Sequence, residues 1–505
     1  MKTLASLSFG LVAVAFALGA CGGGGGGSDS PFATRSIAGR NATSSPIQHV
    51  VIVIQENRSF DNLFATFPGA SGATRGKARV KKGGRYIDKW VPLKATSLAL
   101  STDLQHCHKT FETEYDDGKM DGFNYEVKGP CGGRGIHAKL LAYQYVQESD
   151  IEPYWEIARQ WVLADHMFQT QGSGSFTAHQ DLIRGGTCIS AGPSCNPASP
   201  APSTLSLVDN PGGLPWGCDA PPGTHTSTID IYGHVNDRTG PFPCSSQFPN
   251  YGSSGYQTMR DLLDRAGISW KYYTPCFSAT KQPHCSPSGD CGKYPCAGAT
   301  YDAFDLVAPV RNGPEWGTNV SWPETNIFGD ITNDQLPAVS WVIPNDADSD
   351  HPGEKCHCDD GPSWVASIVN GIGQSPYWSS TVVIVLWDDW GGFYDHVPPP
   401  FQDEWGGLGF RVPMLLVSPY AIAGSAGNPG TGYVSHTQYE FGSILKYVEQ
   451  NWNLPSLGTT DVRATSIGDV LNYGQPPRGF TAIESKHDAP YFIAQPHVAQ
   501  RGDPE

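Results

Sequence analysis

Bases are scarce in this chain: 33 Lys and Arg stand against 49 Asp and Glu, for a formal net charge of -16 across 505 residues. That balance excludes general nucleic-acid binding, which needs a cationic surplus to neutralise phosphates. It does not exclude a small phosphate-bearing substrate, because a bound cation supplies its own local field. No uninterrupted apolar run reaches the roughly eighteen residues of a spanning helix. A Gly-x-Ser-x-Gly elbow is missing, which disfavours a lipase of the α/β-hydrolase kind. There is no Walker A or His-Glu-x-x-His motif either, and Gly-x-Gly-x-x-Gly occurs only within a run of six glycines at 22–27.

What is abundant is Gly (59), Pro (41) and aromatic side chains, with 13 Cys. The length accommodates one large α/β domain with insertions, or two to three ordinary domains. Residues 1–21 read as a lipoprotein-type signal: Lys2, an apolar stretch from Leu4 to Leu18, then Leu18-Gly19-Ala20-Cys21. Lipidated Cys21 would attach the protein to the membrane of a bacterial envelope, and an ordinary secretory signal is the alternative. Residues 22–46 read as a flexible tether. The remaining twelve Cys are even in number and suit up to six disulfides in an oxidising compartment. Most fall within 188–300, which reads as a disulfide-stapled insertion or lid. His106-Cys107-His108 and Cys356-His357-Cys358 lack the paired spacings of a structural zinc site.

Two apolar strands carry the chemistry. His49-Val-Val-Ile-Val-Ile54 reads as a covered strand of a parallel sheet, and it stops at Gln55-Glu56-Asn57-Arg58-Ser59-Phe60-Asp61. Ligands gather at the carboxyl ends of such strands. Glu56 and Asn57 therefore offer hard oxygens to a divalent cation, or else the segment is a capped turn with Arg58 paired to Asp61. Thr381–Trp387 repeats the design and ends in Asp388-Asp389, two carboxylates that repel unless a cation or proton sits between them. Further strands are expected over 336–344 and 412–418, with helices over 153–166, 362–373 and 438–452. Residues 476–505 read as a surface tail.

Between these lies Gly172-Ser173-Gly174-Ser175-Phe176-Thr177-Ala178-His179-Gln180, a small-residue turn delivering a hydroxyl at a helix start. The hydroxyl is either a nucleophile aided by the helix dipole or merely a cap, and its register among Ser173, Ser175 and Thr177 is open. If residues 106–108 are extended, His106 and His108 face one side, as ligands or phosphate donors; otherwise one is a surface residue. Asp350-His351 and Asp395-His396 follow later in the chain. Together these parts suit metal-assisted phosphoryl or sulfuryl transfer.

The blocks Ile54-Gln-Glu-Asn-Arg-Ser-Phe-Asp61, Gly118-Lys-Met-Asp-Gly-Phe123, Ser349-Asp-His-Pro352, Trp387-Asp-Asp-Trp-Gly-Gly-Phe-Tyr-Asp-His-Val-Pro-Pro399 and Gly409-Phe-Arg-Val-Pro-Met-Leu-Leu-Val-Ser-Pro-Tyr420 resemble signature segments of one family. It is the phosphoesterase family of bacterial phospholipases C and acid phosphatases, in the alkaline-phosphatase-like superfamily. The resemblance runs from about residue 47 to 475. It implies a three-layer α/β sandwich around a mostly parallel sheet, and hydrolysis of phosphate esters through a phospho-serine. It implies Ser175 as nucleophile, with Glu56, Asn57, Asp388, Asp389 and Ser175 around a divalent metal. His106 or His108, and His351, would face the phosphate, while Arg58, Asp61, Asp350 and His396 would support the site from behind. The implied substrate is a phosphate ester or phospholipid. This chain departs from the family where many members have Tyr-Asp-Glu-His-Gly-Gly and Pro-Asn-Arg: it has Trp387-Asp-Asp-Trp390-Gly-Gly and Ala178-His179-Gln180. A catalytically silent surface binding protein on the same fold is the rival reading.

Overall fold

The computed structural model describes residues 45–496 except 100–102, 129–130, 132–136, 191–205, 211–215, 231, 251–254, 276–301, 354–359, 401–406 and 425–431. The signal and nearly all of the tether fall outside the described residues, as do Cys356-His357-Cys358 and the end of the tail.

Eight strands form the central sheet: β1 (His49–Gln55), β2 (Val162–Ala164), β3 (Trp270–Tyr273), β4 (Val320–Ser321), β5 (Val339–Val342), β6 (Thr381–Trp387), β7 (Met414–Val417) and β8 (Tyr433–Ser435). Their spatial order is β4-β3-β5-β1-β6-β7-β2-β8, and only β7 runs against its neighbours. The expected α/β class with a mostly parallel sheet is therefore what the chain adopts. β1 lies between parallel partners, so Val50 to Ile54 are covered on both faces and fully buried. That explains an unbroken β-branched run where alternation would mark a half-exposed strand.

Around the sheet pack α1 (Phe60–Phe64), α3 (Glu152–Gln160), α4 (Ser175–Arg184), α5 (Met259–Ala266), α6 (Gly361–Gly373) and α7 (Phe441–Trp452), while α2 (His108–Tyr115) belongs to a smaller aromatic core. α3 touches α6, while α4 touches α5 and α7. α7 opens with a capping box between Glu440 and Ser443 and closes on Asn453 in the left-handed region.

Two expectations are corrected. The helix expected over 153–166 ends at Gln160, because Val162–Ala164 instead joins the sheet as β2 between β7 and β8. Its apolar spacing matched a helix, but the open edge of β7 supplied a ladder. The span 188–300 is not wholly an appendage: α5 and β3 sit inside it, and β3 pairs with β5 through Trp270↔Val339 to Tyr273↔Val342. The cysteines around β3 had masked a short aromatic strand. In the rest of that span, Cys218 bonds to Cys244, and elsewhere Cys107 bonds to Cys131. Cys188 is also disulfide-bonded. In the tail, Phe492 is buried and its ring meets that of Trp364 on α6 at 5.3 Å.

Candidate active site

The register of β1 against β6 builds the site. Gln55 pairs with Trp387, so the next residues of both strands emerge side by side. The Asp388 amide donates to the Gln55 carbonyl (2.9 Å), and the Asn57 amide donates to Asp388 Oδ1 (2.9 Å). Asn57 takes a left-handed φ of 61°, which Asn tolerates better than most residues. Gly391 is forced to be glycine by the same turn: it has φ 61°, and a Cβ there would lie 2.1 Å from the Asn57 carbonyl oxygen. Two further backbone bonds hold the acids, from Asp389 N to Asp388 Oδ1 (2.7 Å) and from Gly391 N to Asp389 Oδ1 (2.7 Å).

Ser175 is the first residue of α4, behind Gly174 as N-cap. Its hydroxyl donates to Asp389 Oδ2 (3.2 Å). The two neighbouring hydroxyls point elsewhere: Ser173 donates to the Asp209 carboxylate and Thr177 to the Asp209 carbonyl (2.9 Å). Of the three candidates, it is Ser175 that bonds to the paired acids.

His179 was not singled out as a site residue from the sequence. It lies one helical turn beyond Ser175, on the same face of α4. Its Nε2 is 3.1 Å from Glu56 Oε1 and 4.0 Å from Asp388 Oδ2, and its Nδ1 is 3.4 Å from the Tyr272 hydroxyl on β3. The i, i+4 spacing from the serine was the available signal.

The other histidines separate. His106 Nε2 is 2.8 Å from Asn57 Nδ2, and its Nδ1 is 2.6 Å from the Leu104 carbonyl oxygen. Its ring lies 6.1 Å from that of His351, whose Nδ1 is 2.8 Å from the Pro352 carbonyl oxygen. His108 does not share that face. Cys107, the N-cap of α2, is extended, but the helix begins at His108, and the two imidazoles meet different partners. Its two ring nitrogens face the Gly172 and Gly233 carbonyls (2.6 and 3.1 Å), so it steadies the loop before Ser175.

Arg58 and Asp350 join the first strand end to the His351 loop. Buried Arg58 donates to the Asp350 carbonyl through Nε (2.9 Å) and Nη2 (2.6 Å), and to the Leu98 carbonyl through Nη2 (2.8 Å). Burial lowers its pKa to about 10, partly offset by the Asp350 charge, so it stays cationic at neutral pH. Asp350 accepts from Tyr154 Oη (2.7 Å) and Trp387 Nε1 (3.1 Å). Asp61 and His396 belong to a neighbouring buried ion network. His396 Nδ1 is 2.7 Å from Asp61, and Arg411 donates to Asp395 at 2.9 and 3.0 Å. Burial opposes protonation of His396, but the bond to Asp61 outweighs it together with the acids' charge, raising its pKa.

Trp390 fills the small aromatic core beside the site with Phe111, Phe393 and Phe410. Its Nε1 donates to Glu114 Oε2 (2.7 Å). Glu126 Oε1 accepts from the amides of Gln105 (2.9 Å) and Val127 (2.7 Å). The remaining oxygens, Glu114 Oε1 and Glu126 Oε2, have no partner but each other's carboxyl. Burial drives both pKa values up, Glu126 to about 7, and Glu114 keeps the proton that joins them. The folded chain thus holds protons that an unfolded Glu releases near its ordinary pKa of about 4.3. Stability carried by the neutral form is full below that value and lost as pH rises through about 7. Glu126→Gln keeps a carbonyl for the two amides and is neutral at every pH. Urea midpoints measured from pH 5 to 8 are expected to fall less steeply for this variant than for the native chain; parallel curves would refute the shared proton.

The residues fit a cation. Glu56, His179 and Asp388 place ligand atoms within 4.8 Å of one another, all buried. Asp388 Oδ2 and Asn57 Oδ1 are buried without a hydrogen-bond partner. Carboxylate and amide oxygens suit a divalent ion, and His179 lies against two of the carboxylates.

Residues 47–455 match the Phosphoesterase family, and the chain belongs to it. The non-hemolytic phospholipase C of Burkholderia pseudomallei is 23% identical, over 91% of this chain and 65% of that protein. Phospholipase C B of Mycobacterium tuberculosis is 27% identical over 48% of each chain. The non-specific phospholipase C3 of Arabidopsis thaliana is 22% identical over 87% of this chain and 76% of that protein. The chain spans less than two thirds of the length of the first of these relatives, as it does for the non-hemolytic phospholipase C of Pseudomonas aeruginosa, of which it covers 59%. Among solved structures, a protein of the alkaline phosphatase superfamily from Vibrio parahaemolyticus matches at 9% identity and a TM-score of 0.33, over 86% of this chain and 74% of that one.

Proposed function

We propose that the protein is an exported, metal-dependent phosphoesterase of the acid phosphatase or phospholipase C type, working through a phospho-serine. The observation that carries this is the Ser175 hydroxyl, at a helix start, bonded to Asp389 beside Glu56, Asn57 and Asp388. The helix N-terminus favours the negative charge of an incoming phosphoryl group. Ser175 Oγ attacks phosphorus, the alcohol departs, and water then cleaves the phospho-serine to release phosphate or phosphomonoester. A divalent cation held by Glu56, Asn57, Asp388, Asp389 and Ser175 would offset negative charge on the reacting oxygens. His351 is suited to protonate the leaving oxygen, His106 orients the Asn57 amide, and His179 holds Glu56 in place. His108 orients the serine loop. The disulfides support export, since such bonds persist in oxidising compartments. Attachment through lipidated Cys21 completes the reading.

The relatives' phospholipase C names favour a phosphodiester substrate. With divalent metal supplied, p-nitrophenyl phosphorylcholine is expected to be turned over faster than p-nitrophenyl phosphate. Faster monoester turnover would make the protein a phosphatase, and turnover of neither would refute an enzyme reading.

A further inference from the structure

An antiparallel hairpin leaves the fold just after α1, with strands Arg75–Lys82 and Arg85–Pro92. Its turn, Gly83-Gly84, has φ of 57° and 82°, as a tight hairpin turn requires, and nothing lies within 4 Å of where their Cβ atoms would be. Between residues 75 and 92 there are seven Lys or Arg and one acid, Asp88, a local surplus of six positive charges in a chain of net -16. Arg79 is paired with Asp116, but among the described residues no carboxylate lies within ion-pairing distance of Lys81, Lys82, Arg85 or Lys89.

The same hairpin exposes large apolar side chains. Tyr86 is 60% exposed, Ile87 43% and Trp90 53%, among the most exposed large apolar residues of the described chain. Register places Trp90 opposite Lys77 and Tyr86 opposite Lys81. Arg75 lies over the Trp90 ring at 4.9 Å, and Lys81 over the Tyr86 ring at 5.9 Å. The hairpin is packed on the fold through Ala78 and Val91, which are buried in the aromatic core that holds Trp390, next to Asp389. The device is thus anchored beside the candidate site and free at its tip.

We infer that this hairpin docks the protein on an anionic phospholipid surface. Trp and Tyr flanked by cations suit the headgroup layer, where rings sit at the boundary and Lys and Arg reach the phosphates. A purely electrostatic polyanion site has no use for exposed Ile87, whereas an acyl boundary does. The choice of a lipid partner rests on the phospholipase reading, but the test measures binding rather than turnover.

The full chain, carrying Cys21→Ser so that no acyl group contributes there, is co-sedimented with vesicles of phosphatidylcholine alone or with about one third phosphatidylserine. Binding is expected to the anionic vesicles and to weaken with salt. Lys82→Glu/Lys89→Glu is expected to lower that affinity at least tenfold. Trp90→Ala/Ile87→Ser is expected to lower it severalfold with little change in salt dependence. Both variants should hydrolyse a soluble p-nitrophenyl ester at the native rate. Equal binding by native and both variants would overturn the inference, as would tighter binding to heparin or DNA than to anionic vesicles. Vesicle binding that depends on the hairpin, without any ester hydrolysis, would keep this inference and refute the catalytic reading alone.

Discussion

Ser175→Ala is expected to lower turnover of any ester substrate by at least about a thousandfold, the scale on which losing a covalent nucleophile acts. The loss should appear in kcat, because the variant keeps the pocket and its oxygens. The side chain is buried, its hydroxyl bonds to Asp389, and Ala extends α4 as well as Ser does. Near-UV circular dichroism should therefore be unchanged. Ser173→Ala and Thr177→Ala supply the contrast. Their hydroxyls bond to Asp209, so each should destabilise the loop by about 1 kcal/mol while leaving turnover within about tenfold of native. A nucleophile at either position would reverse that order. A burst of released alcohol ahead of steady turnover in the native enzyme, absent from Ser175→Ala, would report the phospho-serine directly.

Whatever one strand or one turn determines was legible in the sequence. β1 and β6 announced themselves because strands covered on both faces need unbroken apolar runs, and each ends abruptly in acids. Their adjacency was not legible. It depends on the Gln55↔Trp387 register, a pairing across more than three hundred residues that no local pattern encodes. β3 was hidden for a different reason. Four residues, Trp270-Lys-Tyr-Tyr273, carry too short a period to stand out among cysteines and prolines, yet their strand delivers Tyr272 to His179. His179 itself was visible only as a departure from a family block. Its spacing from Ser175 gains meaning once α4 is known to start at the serine. The Glu114–Glu126 pair brings together an α2 residue and a later loop, so tertiary packing alone reveals it.

Asp388→Asn tests the cation site with a readout that does not depend on catalysis. Asp388 Oδ1 already accepts the amides of Asn57 and Asp389, leaving Oδ2 buried beside His179. An Asn there would keep its oxygen on the two amides and turn its NH2 toward the position Oδ2 holds, replacing a ligand by a donor. Affinity for a divalent ion is expected to fall at least about a hundredfold, measured as bound metal after dialysis. The stability response should cross over. Glu56, Asp388 and Asp389 are three buried acids in one pocket, so removing one charge should raise the melting temperature when metal is chelated. Adding metal should then reverse the order. At a hundred times its dissociation constant an ion stabilises the native chain by about 2.7 kcal/mol, while the variant at the same concentration gains about a sixth of that. Lower stability of the variant in chelator would mean that Asp388 serves the fold rather than a cation, and equal metal content in both proteins would remove Asp388 from the ligand set.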